Sequence, residues 1–208
     1  MIRVHHLNES RSQRILWLLE ELEMPYEIVR YQRNEKTRLA PPELKAVHPL
    51  GKSPVLEDGA VKIAESGAII EYLIAQHGKG RLGPAQGSPD WLAYIEWLHY
   101  AEGSAMLPLL LRMYTMRLGE AGAPLHPRIE SEIENHLAYL AGALGERTFL
   151  IGDDLTGADI QLSFVLEVAR SFGKLAAYPN LSAYLDRLHG REAWKRALEK
   201  GGAYQLGA

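Results

Sequence analysis

Two places in the sequence combine hydroxyl side chains with the start of a helical pattern. Ser10 and Ser12 precede a run of apolar residues that recurs at helical spacing from Ile15, and Ser66 follows Glu65 where another such run begins. The first N–H groups of a helix have no partner within the helix, and the helix dipole is positive there, so that an anion is stabilised. Both helix starts are candidate anion sites, and Ser66 suits a carboxylate.

The spacing of Ser10 and Gln13 has a second interpretation. In a capping box, the hydroxyl of the first residue accepts from the N–H of the fourth, whose side chain reaches back to the first. The Ser10 hydroxyl would then be engaged with the Gln13 amide. The sequence leaves both interpretations open.

The composition excludes several kinds of chemistry. The 208 residues include no cysteine, which excludes disulfides, thiolate metal sites and a protein thiol nucleophile. Sulfur chemistry would therefore have to use the sulfur of a bound ligand. Lys and Arg number 23 against 26 Asp and Glu, so no basic field favours nucleic acid. The histidines include no HExxH pattern, and we predict no metal.

The sequence also lacks the signals of a membrane or secreted protein. No apolar run approaches the roughly 18 residues that a membrane-spanning helix needs. His5 and His6 stand where a secretory signal would have its apolar core. We therefore expect a cytoplasmic protein that binds neither nucleic acid nor membrane.

The first 77 residues predict a small α/β domain. A strand, a helix and a second strand form a β-α-β start, whose helical crossover makes the two strands parallel. Asp58 and Gly59 then predict a hairpin turn between two short strands. The expected order is β-α-β-α-β-β-α with a mixed sheet: strands at 2–6 and 26–31, a short helix near 42–47, a hairpin at 54–63 and a helix from Glu65.

The remainder of the chain predicts an all-helical domain. A helical pattern runs from 90 to 118 and contains Pro108, which should bend it. A later helix begins at Thr156, where Thr156 and Asp159 form a predicted capping box. Residues 78–89 are rich in glycine and proline and lack apolar periodicity. We therefore expect domains at 1–77 and 90–208, joined by a linker at 78–89.

This order of elements resembles the glutathione S-transferase superfamily, in which a thioredoxin-like domain precedes an all-helical domain. Four motifs carry the resemblance, in the family's order and over nearly the whole chain. The first helix is most similar to that of bacterial and fungal members. The motifs are Gly51-Lys52-Ser53-Pro54-Val55-Leu56, Glu65-Ser66-Gly67-Ala68-Ile69-Ile70-Glu71-Tyr72-Leu73, Thr156-x-x-Asp159 and Tyr178-Pro179-Asn180-Leu181.

The resemblance implies glutathione as a co-substrate bound along the first domain. A cis proline at Pro54 would turn the N–H and C=O of Val55 toward this extended peptide. Ser66 would hold the γ-glutamyl carboxylate, Glu65 would face the α-amino group, and Lys52 could meet the glycyl carboxylate. The implied glutathione-binding set is Lys52, Ser53, Pro54, Val55, Glu65 and Ser66.

The sequence leaves open which group activates the thiol. A hydroxyl donating to the sulfur and the positive end of the first helix would both lower the thiol pKa. Ser10 is the first candidate for this hydroxyl and Ser12 the second. If Arg14 and Ile15 are aligned with the Arg-Val pair of serine-type transferases, the thiol-facing position falls on Glu9. Either Glu9 points away, or it accepts the thiol proton as a base.

The resemblance further implies an electrophile pocket between the two domains, lined from the long helix. The enzyme should be a cytosolic homodimer that adds the glutathione thiolate to small electrophiles in detoxification. A glutathione-dependent peroxidase or reductase and a non-catalytic binding module of the same fold are the alternatives. The candidate pocket residues are Tyr100, Met106, Arg112, Met113 and Tyr114, with Arg112 as a possible anion contact.

Overall fold

The computed structural model describes residues 1–207 of the chain. These residues form two compact units. Unit 1 contains residues 1–82 together with the chain from 188 onward, and unit 2 contains residues 83–187. The first change of unit therefore falls inside the linker predicted at 78–89. The residues from 188 onward group with unit 1, although the sequence-based division placed them in the helical domain.

A four-stranded mixed sheet lies at the centre of unit 1. The strands are β1 (Ile2–Leu7), β2 (Tyr26–Tyr31), β3 (Val55–Asp58) and β4 (Val61–Ala64). Their order in the sheet is β2-β1-β3-β4. The β1 strand pairs in parallel with β2, with Ile2 opposite Tyr26, whereas β3 pairs antiparallel with both β1 and β4. The parallel pair and the hairpin are those expected from the sequence.

The helices of unit 1 include one that is buried along nearly its whole length. Every residue from Ser12 to Glu20 of this helix, α1, is buried. Its burial has a cause in the fold, since α1 contacts β1, α3 and α9. The helices are α1 (Ser12–Glu21), α2 (Leu44–Val47), α3 (Ser66–His77) and α9 (Glu192–Gly201).

Aromatic and ionic contacts fix α9 against α1. The rings of Trp17 and Trp194 meet edge to face at 5.3 Å, a favoured geometry for aromatic pairs. Arg196 Nε donates to the buried carboxylate of Glu20 at 2.9 Å. Arg191 binds the Glu21 carboxylate through two nitrogens, at 2.6 and 2.9 Å. The α9 helix is therefore part of the core around α1.

Of the two interpretations of Ser10 and Gln13, the capping box is wrong. The Gln13 N–H donates to the backbone carbonyl of Ser10 at 3.2 Å, and the residue before α1, Arg11, makes no side-chain cap. The Ser10 hydroxyl donates to the carbonyl of Leu7 at 2.7 Å instead. Since Leu7 is the last residue of β1, the hydroxyl satisfies a carbonyl where the strand ends.

Unit 2 is helical, as predicted. The long pattern at 90–118 is divided by a π-helical turn at Ala101–Ala105, just before Pro108. Because proline has no N–H to donate, a local change of helical hydrogen bonding is expected beside it. The helices are α4 (Trp91–Tyr100), α5 (Met106–Met116), α6 (His126–Leu144), α7 (Gly157–Ser171) and α8 (Pro179–His189), and the last of these runs into unit 1.

The capping box of α7 is confirmed, with Thr156 and Asp159 bonded reciprocally. The Asp159 carboxylate also accepts from the N–H of Leu150 at 2.9 Å and from the Tyr184 hydroxyl at 2.5 Å. Burial raises the pKa of Asp159, and these hydrogen bonds oppose the rise. One buried carboxyl thus joins three segments of unit 2.

Within residues 1–207, no helix is both long and apolar enough to span a membrane.

Candidate active site

A chain of hydrogen bonds links the two candidate hydroxyls to a histidine. Ser10 Oγ lies 2.8 Å from Ser12 Oγ, which lies 2.8 Å from Nδ1 of His6. All three side chains are buried. Burial lowers the pKa of His6 to about 4, so the imidazole is neutral at pH 7. The structure therefore places Ser10 and Ser12 together against a neutral ring.

The His6 ring determines where the Ser12 proton lies. The backbone of Gly201 opposes the fall in the pKa of the ring, as a carbonyl facing a ring N–H does. A neutral imidazole has one N–H, and with that N–H on Nε2 the Nδ1 atom accepts from Ser12, whose hydroxyl also has the Leu7 carbonyl at 3.2 Å. The Ser12 proton is thus used within the protein. The Ser10 proton has two acceptors in reach, the Leu7 carbonyl and Ser12 Oγ.

The two hydroxyls also differ in accessibility. Ser10 retains 4% of its surface, and Ser12 retains none. The Ser10 hydroxyl proton can also rotate toward a ligand while the hydrogen bond between Ser12 and His6 stays intact. Of the two candidates, Ser10 therefore has the geometry better suited to a ligand.

Glu9 has a left-handed backbone, with φ of 50°. Its carboxylate accepts from the N–H of Gln205 at 2.7 Å and of Leu206 at 3.3 Å. Its carbonyl accepts from Arg33 Nη2 at 3.1 Å. Both oxygens of the carboxylate are thus bound to the turn near the end of the chain.

The start of β3 is tied to β1 through Ser53. Ser53 Oγ donates to the carbonyl of His5 at 2.7 Å and accepts from the N–H of Leu7 at 3.1 Å. The Ser53–Pro54 peptide bond is cis. Val55, the first residue of β3, is buried and pairs in register with His5. The Ser53 hydroxyl thus acts on the backbone of β1, which is a structural use for a residue predicted to bind glutathione.

The start of α3 combines a strained backbone with a buried hydroxyl. Glu65 precedes the helix with φ of 69° and ψ of 116° and is exposed. Such a conformation is unusual for a residue with a side chain, and backbone strain of this kind is concentrated at functional sites. Ser66 is buried, and its Oγ accepts from Arg14 Nη2 at 2.9 Å. A buried guanidinium therefore adds positive charge to the first turn of α3.

Lys52 is exposed on the segment before β3. Gly51 before it has φ of 58°, and an added Cβ would lie 2.9 Å from Lys45 Cγ. This position therefore requires a glycine both for its backbone and for the close approach of Lys45. The glycine turn directs the chain from α2 into the Lys52-to-Val55 segment.

The predicted electrophile residues lie on several faces of unit 2. Met106 is fully buried in the core. Tyr100 donates to the carbonyl of His136 at 3.2 Å, and burial raises its pKa. Arg112 forms an ion pair with Glu130. All three side chains therefore already have partners within unit 2. Met113 is half-buried, and Tyr114 is 54% exposed.

A small apolar cavity in unit 2 has a volume of about 10 Å³. This volume matches a single water molecule, whereas sites for small organic ligands have volumes of roughly 300–1,000 Å³. The cavity is therefore not a pocket for an organic electrophile. It is lined by Ala105, Leu109, Ile133, His136, Leu137, Leu140 and Val165.

Comparison with known proteins identifies the family. The sequence model described as "Glutathione S-transferase, N-terminal domain" matches residues 1–75, and that described as "Glutathione S-transferase, C-terminal domain" matches residues 102–192. Glutathione S-transferase 1 of Saccharomyces cerevisiae is 34% identical, over 98% of this chain and 96% of its own length. The chain belongs to the glutathione S-transferase superfamily.

Solved structures of other superfamily members agree with this assignment. A glutathione S-transferase from Actinobacillus pleuropneumoniae has a TM-score of 0.91 and 36% identity, over 99% of this chain and 95% of that one. A family member from Pseudomonas fluorescens, solved with two glutathione molecules bound, has a TM-score of 0.81 and 26% identity, over 95% of this chain and 92% of that one. The family, the fold class and the enzyme class predicted from the sequence are confirmed.

Two residues of the candidate site, Arg14 and His6, were missed by the sequence analysis. Arg14 was used only for alignment, and His6 was assigned no role in the site. Arg14 stands four residues after Ser10 in the first turn of α1, directly before the apolar run that begins at Ile15, and this position was a signal that its side chain is buried. The contact of Glu9 with residues 205 and 206 spans almost the whole sequence, and no local pattern indicates it.

Proposed function

We propose that this transferase binds glutathione along unit 1 and activates its thiol for attack on small electrophiles. The observation that carries the proposal is the contact of the buried Arg14 guanidinium with the Ser66 hydroxyl at the start of α3. A carboxylate at this helix start would meet a hydroxyl, helix N–H groups and a nearby positive charge. The γ-glutamyl carboxylate has this chemistry, and the exposed Glu65 carboxylate next to it suits the α-amino group.

The remaining part of glutathione would extend from α3 toward α1. The segment from Lys52 to Val55 would accompany its backbone, with Lys52 available to the glycyl carboxylate. The sulfur would then lie near the start of α1, where Ser10 can turn its proton outward. The Ser10 N–H, just before α1, would be a second donor to the sulfur.

Thiol activation requires that the pKa of the glutathione thiol be lowered. A cysteine-like thiol with a pKa of about 8.5 is only ~3% ionised at pH 7. A hydrogen bond to the charged sulfur contributes roughly 1.5–3 kcal/mol, and the helix dipole about 0.3–1 kcal/mol. At about 1.36 kcal/mol per pKa unit, these contributions lower the pKa by roughly one to three units. The thiolate then attacks the electrophilic carbon, and the leaving group departs with its electron pair.

We propose a homodimer as the working form. Unit 2 exposes apolar residues at helical spacing along and just beyond α5: Leu107, Leu111, Tyr114 and Leu118. Exposed apolar stripes of this kind are typical of surfaces that another molecule covers. Sedimentation equilibrium tests the proposal, since a stable monomer with full activity would contradict it.

Binding calorimetry with glutathione tests the proposed function, with Ser66→Ala and Ser182→Ala as the paired variants. Ser182 lies on α8 in unit 2 and has no part in the proposed site. We expect binding by the wild type and the Ser182 variant and roughly tenfold weaker binding by the Ser66 variant, as the loss of one charge-assisted hydrogen bond implies. Equal binding by all three proteins would contradict the assignment.

A panel of electrophiles and hydroperoxides, each assayed with glutathione, then separates transferase from peroxidase activity.

A further inference from the structure

The segment that follows α9 is bound to the loop that precedes α1. The N–H groups of Gln205 and Leu206 both donate to the carboxylate of Glu9. All three residues lie in unit 1. A carboxylate that accepts two backbone N–H groups makes charge-assisted hydrogen bonds, which are about twice as strong as neutral ones. We call residues 205–206 the closing turn.

Arg33 also holds the loop that precedes α1. Arg33 donates to the carbonyls of Asn8 and Glu9, at 3.1 Å each, and the Arg33 N–H donates to Asn8 Oδ1 at 2.8 Å. Between these two anchors, Glu9 has its left-handed backbone, which costs a residue with a side chain about 1–2 kcal/mol. Such a conformation persists only where the surrounding contacts determine it. The closing turn supplies the contact to the side chain.

The loop also carries the group that acts on the thiol. Ser10 directly follows Glu9, so the direction of its N–H and the position of its hydroxyl depend on the Glu9 backbone. The helix before the closing turn, α9, also contacts α1, the helix that follows Ser10. Two separate contacts thus join the segment from α9 to the closing turn to the elements around Ser10.

We propose that Glu9 is a positioning residue that couples the closing turn to the ionisation of glutathione. This inference rests on the proposed function. Binding of the two N–H groups orients the carboxylate, and the carboxylate holds the loop at the φ that places Ser10 toward the sulfur. In this role Glu9 holds the loop and is not the base that removes the thiol proton.

The test removes each half of the contact separately. Glu9→Gly removes the carboxylate and relieves the backbone strain, so any loss cannot be due to a strained loop. Gln205→Pro removes one N–H at the start of a short 3-10 turn, where proline is tolerated. Gln205→Ala keeps that N–H and is its matched comparison. Glu23→Gly is the matched control for Glu9→Gly, because Glu23 is exposed and also left-handed, with φ of 57°.

The readouts are the pKa of the bound glutathione thiol, from the ultraviolet absorbance of the thiolate, and kcat/KM. Displacement of a reacting group by about 1 Å can cost up to a hundredfold, and we expect a smaller loss of roughly tenfold for Glu9→Gly and Gln205→Pro. The thiol pKa should rise in both. The double variant should lose about as much as either single variant, because the two substitutions break the same contact.

Each outcome has one meaning for the inference. Full activity in Glu9→Gly, or losses that multiply in the double variant, would overturn the coupling. A loss in Glu9→Gln that removes the acidic limb of the pH profile, with Gln205→Pro unaffected, would show a base and also overturn it. If the wild type itself fails to bind glutathione, the proposed function fails and the coupling that rests on it fails too, whereas a wild type that binds glutathione while the variants lose nothing overturns the coupling alone. Thermal unfolding of each variant identifies any that do not fold, and Glu9→Gln then replaces Glu9→Gly.

Discussion

Arg14, in the first turn of α1, donates to the hydroxyl of Ser66, in the first turn of α3, at 2.9 Å. Both side chains are buried. The contact brings the N-terminal ends of two helices together, one proposed to bind the γ-glutamyl carboxylate and the other to activate the thiol. The proposed carboxylate-binding and thiol-activating parts of the site thus meet at the buried Arg14 guanidinium.

Replacement of Arg14 by lysine should weaken glutathione binding. Lysine keeps the charge but lacks the planar fork that can reach Ser66 and a carboxylate together. We expect roughly tenfold weaker binding, the equivalent of one charge-assisted hydrogen bond. Binding calorimetry measures the change. Arg3→Lys is the control, because Arg3 is half exposed and pairs with Glu27 and Glu57 away from this contact. An affinity in Arg14→Lys equal to that of the control would contradict the prediction.

Alanine substitutions of Ser10 and Ser12 should distinguish the serine that activates the thiol from the serine that stabilises the fold. Ser10→Ala should raise the pKa of bound glutathione by about one to two units, since it removes a hydrogen bond worth roughly 1.5–3 kcal/mol. Ser12→Ala should change the thiol pKa little and instead lower the free energy of unfolding by about 1–3 kcal/mol, because Nδ1 of His6 loses its partner inside the protein. A pH titration of the thiolate and chemical denaturation measure the two effects. The reverse pattern would identify Ser12 as the donor.

The stability of the fold should fall as the pH decreases from about 6.5 to about 4. The pKa of His6 is about 4 in the folded state, against 6.5 for an ordinary histidine. In this interval the unfolded chain binds a proton that the folded chain does not, so stability rises with pH there. The full difference between the two pKa values corresponds to roughly 3 kcal/mol in the free energy of unfolding.

Urea denaturation at a series of pH values measures this dependence. Burial also lowers the pKa of His5, so a slope of the same sign should remain in a His6→Gln variant, but it should be clearly smaller. A variant with the slope of the wild type would show that His6 does not titrate with folding.

Replacement of Gly201 by alanine should loosen the contact between α9 and α1. An added Cβ would lie 2.6 Å from Gln13 Oε1 and 3.1 Å from Leu16 Cδ1, and overpacking of this kind costs about 1–3 kcal/mol. Gly142→Ala in α6 is the matched control, because its Cβ would meet nothing within 4 Å. That substitution should stabilise the protein by roughly 0.5–1 kcal/mol. Thermal unfolding of both variants checks the prediction, and equal shifts would contradict it.

The sequence predicted those parts of the protein that depend on local pattern. The strands predicted at 2–6 and 26–31, the Asp58-Gly59 hairpin and the Thr156–Asp159 cap are each specified by residues close together in the chain. The family motifs identified the candidate site because they lie at the starts of β3 and α3. Fold, family and enzyme class therefore followed from sequence alone.

The contacts that order the site are long-range, and the sequence could not show them. The Ser10 spacing suggested a cap with Gln13, but the end of β1 offered a carbonyl that the hydroxyl satisfies instead. Glu9 was an unexplained departure from the family pattern until its partners, 196 and 197 residues away, were known. The site residues themselves remain predictions that binding and kinetic measurements must test.

The central claim is that unit 1 binds glutathione and lowers the pKa of its thiol. Ultraviolet titration of glutathione bound to the wild-type protein, compared with free glutathione, tests this claim most directly. We predict that the bound thiol ionises at least one pKa unit below the free thiol, and that Ser10→Ala reverses most of the shift. A bound thiol that ionises at the same pH as in water would contradict the account.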